Sequence, residues 1–363
     1  MIRSSNPKGA LIADDSALQH EPASERAPRP LPLFLELVRK AGESDPALAR
    51  RALAGLRSYE LAERGPARPL LPDCARIDGV CLRDHGGSGP VALLVPSLIN
   101  PPRILDLDQE TSLAEAVKAM GRRVLLLDWG RADGRAGLSV TAHIDHYLVP
   151  LIEAIGEPPA LIGYCLGGTM AIAAANLVQT ERVATLASPW HFGAYPADSR
   201  AALDQLWAHS RAGAESLGAL PMELLQAAFW SLDPLRTVSK FAEFDELDPG
   251  SPPARRFVAL EDWANGGEAL PYPAAKELIE NLFGADLPGR GRWHVGGKAI
   301  SERLDVPLLT ITAANDRIAP AATATKGPAL AIDSGHVGMV VGSKRRQLHR
   351  ALAGFLGESC RSG

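Results

Sequence analysis

The segment Ala160-Leu-Ile-Gly-Tyr-Cys-Leu-Gly-Gly-Thr-Met-Ala171 sets Cys165 between Gly163 and Gly167, with an apolar run before it and an Ala-rich run after it. A buried strand that turns sharply into a helix around Gly-x-Cys-x-Gly is the context of a nucleophile elbow. The glycines have a mechanical reason. So tight a turn holds its central residue in strained backbone geometry, and side chains two positions either way would collide with the neighbouring strand or helix. Cys165 then stands at a helix N-terminus, where the macrodipole favours negative charge. The N–H of Leu166 is placed to donate to an oxyanion. The chemistry such a group performs is attack on an acyl carbon.

A thiol nucleophile needs a base, and the base needs an acid to orient it. In an elbow-bearing sheet these follow in the order nucleophile, acid, base, each after a late strand. Asp316 follows the apolar run Pro307–Thr312, and His336 follows Ala329–Asp333. Both fall at the carboxyl ends of their strands, the same edge as the elbow. Asp305, Asp333 and Asp145 are lesser candidates for the acid. The second oxyanion donor is expected in the loop after an early strand, Pro96-Ser-Leu-Ile-Asn100, as the N–H of Ser97 or Leu98. His85-Gly-Gly precedes that strand and reads as a turn. His143 and His146 lack a third ligand and read as a solvated helix face, so no metal is expected.

These residues require a sheet beneath them. Val91–Val95, Arg123–Leu127, Ala160–Gly163 and Val183–Leu186 are short apolar runs, separated by helical stretches at Ser112–Met120, Thr141–Ile155 and Leu166–Val178. That alternation predicts α/β architecture: an α/β-hydrolase fold with a mostly parallel, doubly wound sheet. Residues 77–189 and 301–363 form the expected core, closed by a helix over Lys344–Phe355. The alternation stops over 190–300, which read as a helical lid insertion with pieces at Met222–Phe229 and Ala274–Phe283. Thirteen of the 19 Phe, Trp and Tyr residues lie there, among them Trp207, Phe229, Trp230, Trp263 and Trp293. Such rings line an apolar acyl site or simply fill the insertion's own core. Residues 1–30 are expected to be a disordered leader, and 31–76 an N-terminal helical segment of two short helices packed on the main domain, broken near Gly42–Pro46.

The 363 residues, 46% hydrophobic and 22% charged, suffice for a large core. A net charge of −4 gives no basic surplus for a phosphate backbone, so nucleic acid is not an expected partner. No apolar run is long enough to span a bilayer, and a cytoplasmic location is expected. Cys74, Cys81 and Cys360 show neither disulfide-framework nor zinc spacing and read as structural or incidental.

Several segments together resemble the polyhydroxyalkanoate (poly-3-hydroxybutyrate) synthase family. Gly163-Tyr-Cys-Leu-Gly-Gly-Thr169 is similar to its cysteine-containing lipase box, and Val95-Pro-Ser-Leu-Ile-Asn-Pro-Pro-Arg-Ile-Leu-Asp-Leu107 to its early strand and loop. Val124–Trp129, Asp316-Arg-Ile-Ala-Pro320 and Ser334-Gly-His336 also resemble its segments, and Asp145-His-Tyr147 sits where it often has two acids and a Tyr, so the likeness runs from about residue 60 to 355. The resemblance implies an acyltransferase that polymerises 3-hydroxyacyl groups from coenzyme A thioesters and has no cofactor of its own. Implied partners are a second synthase subunit or a second copy, and the polymer granule surface, with granule association to match. Arg317 stands where a His often follows the catalytic Asp, and Ser188-Pro-Trp-His-Phe192 lacks the family's acid. An esterase, thioesterase or depolymerase using the same three residues is the alternative. A non-catalytic protein that binds granules or a partner subunit is disfavoured by the intact Cys165, Asp316 and His336.

Overall fold

A computed structural model of the chain describes residues 26–65 and 68–357. Eight strands form its main sheet: β1 Asp73–Ile77, β2 Val80–Asp84, β3 Val91–Val95, β4 Arg123–Asp128, β5 Ala160–Tyr164, β6 Arg182–Leu186, β7 Leu308–Ala313 and β8 Ala329–Ile332. Their order is β1-β2-β4-β3-β5-β6-β7-β8. β2 runs antiparallel to both neighbours, and every other pairing is parallel. With helices on both faces, this is the α/β-hydrolase fold.

The period-two alternation of a strand divides its side chains between two cores. Val91, Leu93 and Val95 join Leu125 and Leu127 on one face, under the helix Leu166–Ala175. Ala92 and Leu94 join Val124 and Leu126 on the other, under the helices Leu113–Ala119 and Arg345–Gly357. All five residues of β3 are buried, as are all five of β5 and of β6. Each fully buried Leu or Val contributes about 1.5–3 kcal/mol, so the central strands form a rigid platform.

The N-terminal helices are Leu31–Ser44 and Pro46–Leu61, and the break falls at Asp45, whose carboxylate caps the second by accepting from the N–H groups of Ala47 and Leu48. They pack on the helix Pro234–Asp245, between β6 and β7, and not on the main domain as expected. The sheet faces are already covered, while Val238, Phe241 and Ala242 present a stripe at helical spacing that Phe34, Val38, Leu56 and Tyr59 complete. The expected boundary at residue 76 also moves, because β1 begins at Asp73. Exposed Asp73, Cys74 and Arg76 hide that edge strand from a hydrophobicity reading. Arg29, placed in the expected leader, is anchored: it hydrogen-bonds Asn265, Glu223 and Gly267. Residues 1–25 of that leader, and Cys360, lie outside the described residues.

Between β6 and β7 stand helices Ala197–Leu217, Met222–Leu232, Pro234–Asp245, Pro252–Asn265 and Tyr272–Lys276, the last continuing as a π-helix over Glu277–Gly284. Trp207, Trp230, Trp263 and Trp293 are buried among them. Trp230 meets Phe34 edge-on at 6.2 Å, and Trp293 meets Trp190 at 6.1 Å, so these rings serve packing.

At Gly55 an added Cβ would lie 1.8 Å from the carbonyl oxygen of Phe241. Gly55→Ala is therefore expected to lower stability by about 1–3 kcal/mol in urea unfolding, by forcing the N-terminal pair off its helix. Leu53→Ala, at a position 45% exposed on the same helix, is expected to change it by less than about 1 kcal/mol.

Candidate active site

β5 leads straight into the turn at Cys165, whose backbone adopts φ 56° and ψ −133°. A non-glycine residue held there stores about 1–3 kcal/mol of strain. Two hydrogen bonds hold it: the Cys165 N–H donates to Leu186 O at 2.9 Å, and the Gly168 N–H to Cys165 O at 2.9 Å. The glycines are steric necessities. A Cβ on Gly163 would lie 2.3 Å from Gly168 Cα, one on Gly167 2.1 Å from Val95 O, and one on Gly168 2.0 Å from Ser188 Oγ. The thiol is partly exposed at the carboxyl edge of the sheet.

β7 and β8 bring the other two residues to that edge. His336 Nδ1 and Asp316 Oδ2 are 2.7 Å apart, and the Asp316 side chain has no solvent exposure. Its other oxygen accepts from the N–H groups of Ile318 and Ala319, both at 2.8 Å. Every polar atom of this buried carboxylate thus has a use, which is what burial demands. With Nδ1 on Asp316, Nε2 is the ring nitrogen left for Cys165, whose sulfur is near enough to favour the charged ring. Burial works against the imidazolium, but the charge of the Cys165 sulfur, the Asp316 hydrogen bond and the Cys165 hydrogen bond outweigh it, raising the His336 pKa well above the ordinary histidine range. The structure thus sets Asp316 on His336 at the sheet edge where Cys165 stands. Asp305, Asp333 and Asp145 are exposed, Asp333 being engaged by Asn315 Nδ2 at 2.9 Å, and Asp316 is the acid on the imidazole.

Leu166 is the first residue of its helix, so its N–H has no acceptor within that helix. Ser97 and Leu98 are buried in the loop after β3, and the close approach of Gly167 to Val95 O and Pro96 O sets this loop against the elbow. Two indoles pin it from outside. Trp129 Nε1 donates to Pro96 O at 3.2 Å, and Trp263 Nε1 to Pro101 O at 2.9 Å.

His85 follows β2 and leads into Gly86 and Gly87, both at positive φ, and in place of the expected turn the segment continues along β4, the His85 N–H donating to Val124 O and the Val124 N–H to Gly86 O, both at 2.9 Å. His146 is exposed as expected, but His143 is fully buried. Its ring engages Ser139 O at 2.7 Å and faces the Arg135 guanidinium at 3.0 Å, and burial lowers its pKa to about 4. The expected solvated face fails there because a π-helix over Ile144–Leu148 starts beside it, and the ring packs under Trp129. Among the described residues, no cluster of three or more His, Cys, Asp or Glu side chains is placed to hold a metal ion.

Two tyrosines at the site gave no signal in the sequence. Tyr164 precedes the nucleophile and lies with its ring 5.0 Å from that of His336. Tyr195 comes from the connection after β6, and its hydroxyl donates to Ile318 O at 2.8 Å. Tyr164 fills an unspecified position of the Gly-x-Cys-x-Gly turn, and only the tertiary fold brings Tyr195 to the loop after β7.

No protein-family profile matches the chain. It is similar to the poly(3-hydroxyalkanoate) polymerase subunit PhaC of Haloferax mediterranei, 28% identical over 242 residues, covering 63% of this chain and 48% of that protein. It thus spans about half the length of that relative. The same-named subunit of Thiocystis violacea is 24% identical over 289 residues, covering 73% of this chain and 80% of that protein. Among solved structures, a hydrolase from Pseudomonas aeruginosa PA01 superposes with a TM-score of 0.48 at 19% identity, over 77% of this chain and 94% of that one.

The raised His336 pKa has a stability consequence of definite sign. Folding-induced stabilisation of the imidazolium is fully present below the unfolded value near 6.5 and is lost as pH rises through the higher folded value. Asp316→Asn keeps an acceptor for Ile318 and Ala319 but removes the charge. Urea unfolding is expected to show it less stable than wild type by about 1–3 kcal/mol near pH 6, with the gap narrowing as pH rises towards 10.

Proposed function

We propose that the chain is a polyhydroxyalkanoate synthase-like acyltransferase that takes 3-hydroxyacyl groups from coenzyme A thioesters onto Cys165 and joins them into a polyester. The observation that carries this reading is a cysteine, in place of the usual serine, at a strained elbow backed by the buried Asp316–His336 pair. The similarity to PhaC polymerase subunits supplies the substrate class.

In this reading His336 holds the proton of the Cys165 thiol, and the thiolate beside it attacks the thioester carbonyl. The tetrahedral oxyanion accepts hydrogen bonds from the N–H of Leu166 and from that of Ser97 or Leu98. As the intermediate collapses, the bond to the coenzyme A sulfur breaks, and the imidazolium returns its proton to that leaving group. One thioester replaces another, so the acyl-enzyme is reached with little change in free energy. His336 then removes the proton from the hydroxyl of a second 3-hydroxyacyl unit. Its oxygen attacks the acyl-enzyme, an ester forms, and the sulfur leaves and recovers the proton. Asp316 holds the ring in the tautomer that both steps need and stabilises it when charged. The helices between β6 and β7 act as a lid whose role is to keep water from the acyl-enzyme. A second subunit or second copy, and the granule surface, are the partners this reading entails. Among the described residues no helix is long and apolar enough to cross a membrane.

Intact-mass spectrometry after mixing with 3-hydroxybutyryl-coenzyme A tests this function. Wild type is expected to carry adducts of one and more hydroxybutyryl units, with matching release of free thiol, and Cys165→Ala none. An adduct that discharges only to free acid would make the chain a hydrolase. No adduct with any thioester or ester would remove the acyl-transfer reading altogether.

A further inference from the structure

The connection that follows β6 crosses over the loop that carries Asp316 and is fastened to it at three points. The N–H groups of Trp190 and His191 donate to Thr323 O at 2.6 and 2.8 Å, and the Tyr195 hydroxyl donates to Ile318 O at 2.8 Å. Ile318 is the residue whose own N–H donates to Asp316 Oδ1. A single peptide-linked residue therefore takes one hydrogen bond from Tyr195 on its carbonyl and gives one to the carboxylate with its amide.

The packing of Tyr195 holds it at this point. It is 8% exposed, its ring is packed against Phe283 at 4.8 Å and Phe192 at 6.1 Å, and this packing fixes where the hydroxyl lies. Burial, then the charges of Cys165 and Asp316, raise its pKa well above the ordinary phenol value, so it remains a neutral donor. Without the hydroxyl, the Ile318 carbonyl loses a partner in a nearly dry setting, and the turn that presents two N–H groups to Asp316 is free to relax. A carboxylate whose two amide contacts lengthen also shifts against the imidazole on its other oxygen.

We propose that Tyr195 is a positioning residue: through the Ile318 peptide it holds Asp316 in register with His336, and so couples the connection after β6 to the acid–base chemistry of Cys165. This rests on the acyl-transfer reading for its kinetic consequence, but not for its structural one. The titratable groups facing His336 are Cys165 from the elbow, Asp316 from the loop after β7 and Tyr164 from the end of β5. Tyr195 acts on the second of these without touching the ring.

The test is Tyr195→Phe, which keeps the ring and removes one oxygen, compared with Phe283→Leu, which loosens the ring packing and keeps the hydroxyl. The His336 imidazole is followed by nitrogen-15 NMR across pH, assigned with His336→Gln, and coenzyme A release from 3-hydroxybutyryl-coenzyme A is measured alongside. Tyr195→Phe is expected to bring the His336 titration down towards the ordinary histidine value and to lower kcat about tenfold, with KM within twofold. Phe283→Leu, which keeps the hydroxyl but loosens what fixes it, is expected to lower the melting temperature and to shift the titration by less than half as much as Tyr195→Phe. An unchanged His336 titration in Tyr195→Phe overturns the positioning role, as does an equal shift in Phe283→Leu. If wild type releases no coenzyme A, the acyl-transfer reading fails by itself, and the NMR titration still decides whether Tyr195 positions the pair.

Discussion

The site is organised around a backbone that is held where an amino acid with a side chain does not rest by choice. Cys165 at φ 56° is bracketed by the last residue of β5 and the first of the helix Leu166–Ala175, and its N–H is drawn to Leu186 O on the next strand. The strain persists because the surrounding platform over-determines it: β3, β5 and β6 are buried throughout, and three glycines let strand, helix and loop approach within distances no Cβ tolerates. The same clearance lays the Pro96 loop beside the turn, next to the Leu166 N–H, which as the first of its helix has no helical acceptor.

Electrostatics acts on top of this geometry, and burial sets its sign. A lone imidazole in so dry a place would lose its proton readily, as His143 does beside Arg135, held down to about 4. His336 goes the other way because a fully buried carboxylate and a sulfur flank it. Of two buried histidines in one chain, the one beside a carboxylate and a sulfur favours the imidazolium and the one beside a guanidinium the neutral ring, so the partner sets the direction. Asp316 can serve in this way because two backbone amides satisfy the oxygen that His336 does not use.

The parts legible in the sequence are those governed by short-range rules. The Gly-x-Cys-x-Gly turn, the buried strands read as apolar runs, and the order of Asp316 and His336 after late strands all follow from local sterics and chain topology. What stayed hidden depends on tertiary contact. β1 was masked by its exposed charges, and the N-terminal helices show an apolar stripe without showing which surface covers it. His143 reads as a polar helix residue until Arg135 and Trp129 are seen against it. Tyr195 has no spacing relation to Asp316, 121 residues later, and only the packing of Phe192 and Phe283 brings it there. The helices at Ala197–Leu217 and Pro252–Asn265 were obscured by polar composition and by prolines, the latter standing at the helix start where proline is tolerated.

The central claim is that Cys165 is the activated nucleophile and His336 its base, and it is tested most directly by competition between the thiols of the chain. Under limiting iodoacetamide near pH 7, with peptide mapping over time, exposure alone would favour Cys74, which is exposed, over the half-buried Cys165. The account predicts the reverse order in wild type, and a loss of that advantage in His336→Ala with the Cys74 rate unchanged. Alkylation of Cys74 first, with Cys165 indifferent to the loss of His336, would contradict it.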